Sequence, residues 1–144
     1  MEQPVETLLR GSQFKQLLDR FVKGLRSKYG LKRTEIEVLY YLSRSGAHNT
    51  AKDITNSLHM NKGHISQTTE SLCQKGYLSA SRDTTDYRIV HYLITDDARI
   101  VVGEIDTAIE NLYKNLFEGI SEEDMETFRR VASQMASNIS RIEG

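Results

Sequence analysis

Asn61-Lys62-Gly63-His64-Ile65-Ser66-Gln67-Thr68-Thr69-Glu70-Ser71-Leu72-Cys73-Gln74-Lys75-Gly76, followed by Tyr77-Leu78-Ser79-Ala80-Ser81-Arg82-Asp83-Thr84-Thr85-Asp86-Tyr87-Arg88-Ile89-Val90-His91-Tyr92-Leu93-Ile94, is the segment on which the architecture of this chain turns. The first half reads as a helix over 62–75, with Asn61 as its N-cap and Gly76 as its stop. Projected on a helix, Ile65, Thr69 and Leu72 share one side with Thr68 beside them, and that side is expected to pack inward. Gly63, His64, Gln67, Glu70, Ser71 and Gln74 face the other way. The second half reads as two strands, 77–82 and 88–94, joined by the polar turn Asp83–Tyr87.

Immediately upstream, Thr50-Ala51-Lys52-Asp53 fits a capped start for a short helix over 51–58. About three residues join it to the next helix, which makes a helix-turn-helix. The hairpin that follows stands where a wing would stand. Further upstream, Thr34-Glu35-Ile36-Glu37 fits a capping box. It opens a helix over 35–45 that is apolar nearly all round, so burial on several sides is expected. Residues 4–28 carry Phe14, Leu18, Phe21, Val22 and Leu25 at helical steps, with Ser12 as a candidate N-cap after Gly11. Downstream, Thr95-Asp96-Asp97 reads as the cap of a long helix. Its face is Ala98, Val101, Ile105, Ala108, Leu112 and Leu116. A last helix starts at Ser121. Met125, Phe128, Ala132, Met135, Ile139 and Ile142 recur there at alternating three- and four-residue steps, a narrow seam suited to one partner helix.

The predicted fold is therefore mainly α with a small β-hairpin wing. It is a single domain over 1–144, with a winged helix-turn-helix at 34–95 and helical dimerisation regions at 4–28 and 96–142. Net charge over the 144 residues is −1, which by itself does not point to nucleic acid. The distribution is uneven: residues 1–91 carry +5 and residues 92–144 carry −6. Such a split can hide a basic surface behind an acidic remainder. No run approaches the length of a membrane helix, and Met1-Glu2-Gln3-Pro4 does not open a secretory leader. One cysteine, Cys73, excludes an internal disulfide framework. A cytoplasmic location with no membrane association is expected.

A helix that exposes small and amide side chains at its N-terminal half can lie in a major groove. Gly63 allows close approach of the backbone. Gln67 can pair bidentately with adenine, while His64 or Lys62 can donate to guanine or phosphate. A plain solvated face is the alternative, and the hairpin tips the balance. Arg82 and Arg88 flank its loop, and an arginine on a wing can enter a narrow minor groove. Asp86 stands two residues before Arg88 and can hold its guanidinium in advance. Thr50, Ser66, Thr68 and Thr84 can bond phosphates and set register.

These segments resemble the MarR (multiple antibiotic resistance regulator) family. The resemblance lies in Ile36–Ser45, 52–58, Ile65-Ser66-Gln67, Leu72 and Gly76-Tyr77-Leu78. Its most specific part is Asp86-Tyr87-Arg88 followed by Ile94-Thr95, which looks like that family's Asp-x-Arg wing and the start of its next helix. The resemblance implies a homodimer with intertwined terminal helices. Two reading helices would enter successive major grooves of a pseudo-palindromic operator, and two wings the minor grooves. It also implies regulation, here read as repression, changed by a small ligand. Ala98, Ile94 and Gln67 stand where the family often has Gly, Leu and Arg, and the last bears on which base is read.

For an effector, Phe14, Phe21, Tyr29, Tyr40 and Tyr41 are candidate pocket residues where the first helix, the helix at 35–45 and the wing base meet. The other reading of these aromatics is ordinary core. The four histidines, His48, His59, His64 and His91, show no short metal spacing. No catalytic residues, metal or cofactor fingerprint are indicated, so no enzyme is expected. An alternative function remains open. Residues 50–91 carry a net charge of only +1, which suits a winged-helix protein-interaction module that does not bind DNA.

Overall fold

The computed structural model describes residues 4–144, so the reading of Met1–Gln3 lies outside it. Among these residues it holds seven α-helices and one antiparallel hairpin. The chain divides into two compact units, one ending at Leu112 and one spanning Tyr113–Gly144.

In the first unit, the helical stretch read over 4–28 forms α1 (Pro4–Arg10) and α2 (Ser12–Tyr29), divided at the Gly11-Ser12 step that the sequence marks. Gly11, at φ +73°, forms the break and the N-cap of α2, so Ser12 is the first helical residue and not the cap. Only glycine takes this left-handed conformation without steric cost. The helix α3 (Arg33–Arg44) begins two residues earlier than the Thr34 box implies. Glu35 is its third residue, and its carboxylate accepts the Lys32 backbone N–H at 2.8 Å. The short helices α4 (Ala51–Leu58) and α5 (Lys62–Gln74) follow as the sequence indicates. Strands β1 (Leu78–Arg82) and β2 (Val90–Ile94) pair with Ser81 opposite His91 and Arg82 opposite Val90. Thr50 adds a single bridge to His91, and the Tyr92 N–H donates to the Asn49 carbonyl at 3.0 Å. The hairpin is thereby docked on the loop that leads into α4.

Thr95 does not cap the next helix by its side chain. Its hydroxyl donates to the Gly76 carbonyl at 2.6 Å, tying the end of β2 to the start of β1. A single 3₁₀ turn, Asp96–Ala98, precedes α6 (Arg99–Leu116). The core is built around α3, whose Ile36, Val38 and Leu39 are wholly buried. Val22 of α2, Ile54 of α4, Ile65 and Leu72 of α5, and Ile105 and Leu112 of α6 join it. Ile109 is buried in α6 where the sequence face had Ala108, which is only half-buried.

In the second unit, the Tyr113 and Phe117 rings stack with centroids 6.0 Å apart. Phe128 meets Phe117 at 6.3 Å. The helix α7 (Glu122–Glu143) is capped by Ser121, whose hydroxyl accepts the Asp124 N–H. Of its apolar seam, Met125 is buried, while Phe128, Met135, Ile139 and Ile142 are exposed.

Candidate nucleic-acid interface

The helix-turn-helix is fixed by caps. Thr50 and Asp53 cap α4 reciprocally: the Thr50 hydroxyl accepts the Asp53 N–H, and the Asp53 carboxylate accepts the Thr50 N–H. The Thr50 hydroxyl also donates to that carboxylate at 2.9 Å, so it is already engaged within the protein. The Thr50 backbone N–H is the main influence holding Asp53 below the usual carboxylate range. Asn61 caps α5 by accepting the His64 N–H at 2.7 Å. Between the two helices His59 adopts φ +53°, a left-handed position that closes α4. Non-glycine residues hold this conformation at a steric cost.

On α5, Ile65, Thr69 and Leu72 face the core as their spacing requires. Lys62, Gly63, His64, Ser66 and Gln67 are exposed. Thr68, read as a phosphate contact beside the inward side, and Ser71, read on the outward face, are both turned to internal acceptors. Thr68 is 5% exposed, and its hydroxyl donates to the His64 carbonyl one turn back. Ser71 is half-buried and donates to a Glu35 carboxylate oxygen at 2.9 Å. Neither hydroxyl is placed to meet a phosphate, because each is spent on an internal acceptor.

Glu35, 1% exposed, is the anchor of α5. Its two oxygens accept from Lys75 Nζ at 3.0 and 2.9 Å, and Lys75 also donates to the Gly30 carbonyl. Burial pushes the Glu35 carboxyl up. Lys75, the Lys32 N–H and Ser71 together outweigh that and leave it lowered. Neither Glu35 nor Lys75 was singled out from sequence, because their pairing joins positions forty residues apart.

The wing is a network of short bonds. Asp83 Oδ2 accepts from the Thr85 N–H, the Thr85 hydroxyl and the Asp86 N–H, all within 3.0 Å. The Ile89 N–H closes a turn on the Asp86 carbonyl. The Asp86 carboxylate accepts from Arg88 Nε and Nη2 at 3.1 Å each and from the Arg88 N–H at 3.0 Å. This holds Asp86 low and Arg88 high in pKa, the side-chain bond being the first cause of each. The Arg88 side chain is 91% exposed, so it is oriented without being hidden. Arg82 donates instead to the Tyr87 carbonyl, stiffening the loop, and Thr84 is exposed at its tip.

Lys52, Lys62 and Arg88 line one cleft of about 310 Å³ with Thr50, Ile89 and Tyr92. It brings cations from α4, α5 and the wing to one place, a natural seat for a phosphate. Lys52 was missed in sequence; its signal is a cation just inside a capped helix start.

The five aromatics read as an effector pocket have different surroundings among the described residues. Phe21 alone among them lines a cavity of about 750 Å³ between α2 and α6, with Leu25, Lys28, Ile100, Glu104 and Ala108. Phe14 is exposed on α2. Tyr40 lies under the Arg44 guanidinium, Tyr41 donates to the His48 carbonyl, and Tyr29 sits beneath Lys28. Cys73 is half-buried, and burial raises its thiol. Among the described residues no three His, Cys, Asp or Glu side chains gather as a metal site, and no helix is long and apolar enough to cross a membrane.

Residues 20–105, more than half the chain, match the family model described as transcriptional regulator SarA/Rot. The chain belongs to the SarA/Rot family of transcriptional regulators. This SarA/Rot member is 24% identical over 116 residues to transcriptional regulator AdcR of Streptococcus pneumoniae, covering 81% of this chain and 70% of AdcR. Its fold is that of several solved regulators. The transcriptional regulator PA3341 has a TM-score of 0.83 at 19% identity, covering 95% of this chain and 98% of the other. Staphylococcus aureus MepR, solved with DNA, has 0.74 at 18%, covering 95% and 99%. MarR has 0.74 at 19%, covering 99% and 95%. The MarR resemblance of the wing and reading helix thus holds at the level of the whole fold.

Proposed function

We propose that this SarA/Rot regulator is a homodimeric, sequence-specific duplex-DNA binder that represses transcription. In this reading α5 enters the major groove, with Gln67, His64, Lys62 and Ser66 toward bases and phosphates over Gly63. Arg88, pre-aimed by Asp86, enters the minor groove. The observation that carries the reading is this Asp86–Arg88 pair, set on a stiffened loop beside the exposed N-terminal half of α5. The winged unit at 34–95 is flanked by dimerisation regions at 4–28 and 96–142. The exposed apolar side chains of α1 and α7, among them Leu8, Leu9, Phe128 and Ile139, support a second copy as their cover. A small ligand in the cavity beside Phe21 would modulate affinity, because that cavity lies on helices flanking the reading unit.

Selection of bound duplexes from a random pool tests the reading. It should yield a site with two inverted half-sites, and Arg88→Ala should retain few of the selected duplexes. Equal retention by Arg88→Ala would contradict the wing's role. The second reading, a protein-interaction module, is favoured by the net charge of only +1 over residues 50–91. Recovery of no duplex from the pool at low salt would support it instead.

A further inference from the structure

His91 is not part of the surface just described, yet it sits between its two halves. Its ring lies on β2, with Nδ1 2.6 Å from Asn49 Oδ1 and Nε2 2.8 Å from Asp83 Oδ1. Asn49 is 7% exposed and belongs to the loop that leads into α4. Asp83 organises the wing turn through its other oxygen, and the turn presents Asp86, which holds Arg88. One chain of hydrogen bonds therefore runs from the start of the helix-turn-helix, through the imidazole, to the wing arginine.

Both ring nitrogens face oxygen. A neutral imidazole has one N–H and can donate to only one of them, whereas the imidazolium donates to both. Asp83 is held well below the usual carboxylate range, first by His91 and then by Thr85 and Asp86, so it stays an acceptor. The charged and titratable groups around the ring are Asp83 on the wing, Asp53 at the start of α4, His48 in the preceding loop and Tyr41 on α3.

We propose that His91 is a proton-dependent positioning residue, a strut that fixes the wing and its Arg88 against the helix-turn-helix only when its ring is charged. Loss of the proton breaks one of the two bonds and frees the wing turn. DNA affinity should then be highest at acidic pH and fall as pH rises through the range, about 5 to 8, in which imidazoles ordinarily discharge. This consequence rests on the DNA-reading function proposed above; the strut itself does not.

The test uses the uniformly ¹⁵N-labelled full chain. In the absence of DNA, both His91 ring nitrogens should give imidazolium signals at about pH 5, the acidic end of that range. The Asp86 amide and Arg88 Nε signals should shift in step with the His91 titration. Wild type should lose about tenfold in duplex affinity between the two ends of that range, the effect of one charge-assisted hydrogen bond. His91→Gln should flatten this profile, while Gln67→Ala, a change on the reading face that removes no titrating group, should lower affinity and leave the slope. Wing signals indifferent to the His91 titration would overturn the proposal. So would a neutral ring at acidic pH, with the Asn49 amide rotated to donate to Nδ1. A full pH slope in His91→Gln would do the same. If no duplex binds at any pH, the DNA-reading function fails while the NMR titration still decides the strut.

Discussion

At the scale of single residues, Arg88 and Gln67 do different work. Arg88 is a fully exposed guanidinium held by a two-pronged bond, and lysine cannot reproduce that fork. Arg88→Lys should therefore weaken binding measurably in a filter-binding titration, although charge is kept. Gln67→Ala should change preference at one base position per half-site by about 1–3 kcal/mol, read from competition between duplexes differing at that base. Glu35 makes a stability prediction. Lys75→Ala removes two of the bonds on a buried carboxylate and should cost about 1.5–3 kcal/mol in urea unfolding at neutral pH. The Glu35 carboxyl is lowered in the folded protein, so its contribution is present above the ordinary value of 4.5 and fades as pH falls below it. Wild type should lose stability over that acidic range, and Lys75→Ala should lose less, because the folded-state shift is smaller without its partner. The outward face of α5 and the Asp86–Arg88 pair were legible in sequence because both are local patterns. The outward position read for Ser71 and the phosphate contact read for Thr68 do not hold, because a hydroxyl fits either environment and its acceptor decides which.

At the scale of elements, α4 and α5 start where their caps say, since Thr50 and Asn61 each meet their own backbone donor within three residues. Asn61→Ala should lower stability by about 1 kcal/mol and fray the end of α5 that we propose reads the groove, visible in a denaturation midpoint and amide exchange. His59 closes α4 in a left-handed conformation. His59→Gly should relieve that strain and stabilise by up to about 1 kcal/mol, by the same denaturation measurement. Thr34 and Thr95 misled the reading for a common reason. Each precedes an acidic run that resembles a cap. The backbone starts α3 two residues earlier, however, with Lys32 as its cap, and the Gly76 carbonyl captures the Thr95 hydroxyl. The aromatic cluster on α2 and α3 was illegible in a different way, since composition shows that rings are present but not which of them converge.

For the whole molecule, a reading unit with little net charge must gain affinity by number. The exposed apolar seam of α7, from Phe128 to Ile142, supports a second copy. Sedimentation should give twice the chain mass, and Ile139→Asp should shift it toward one chain while weakening DNA binding. Two copies would present two sets of Lys52, Lys62 and Arg88. The measurement that bears most directly on DNA reading is the affinity of the full chain for its selected duplex across a salt series. Log affinity should fall with log salt at a slope of about −5, close to 0.9 for each of these cations on two copies. A slope near zero, or no binding at low salt, would contradict the account.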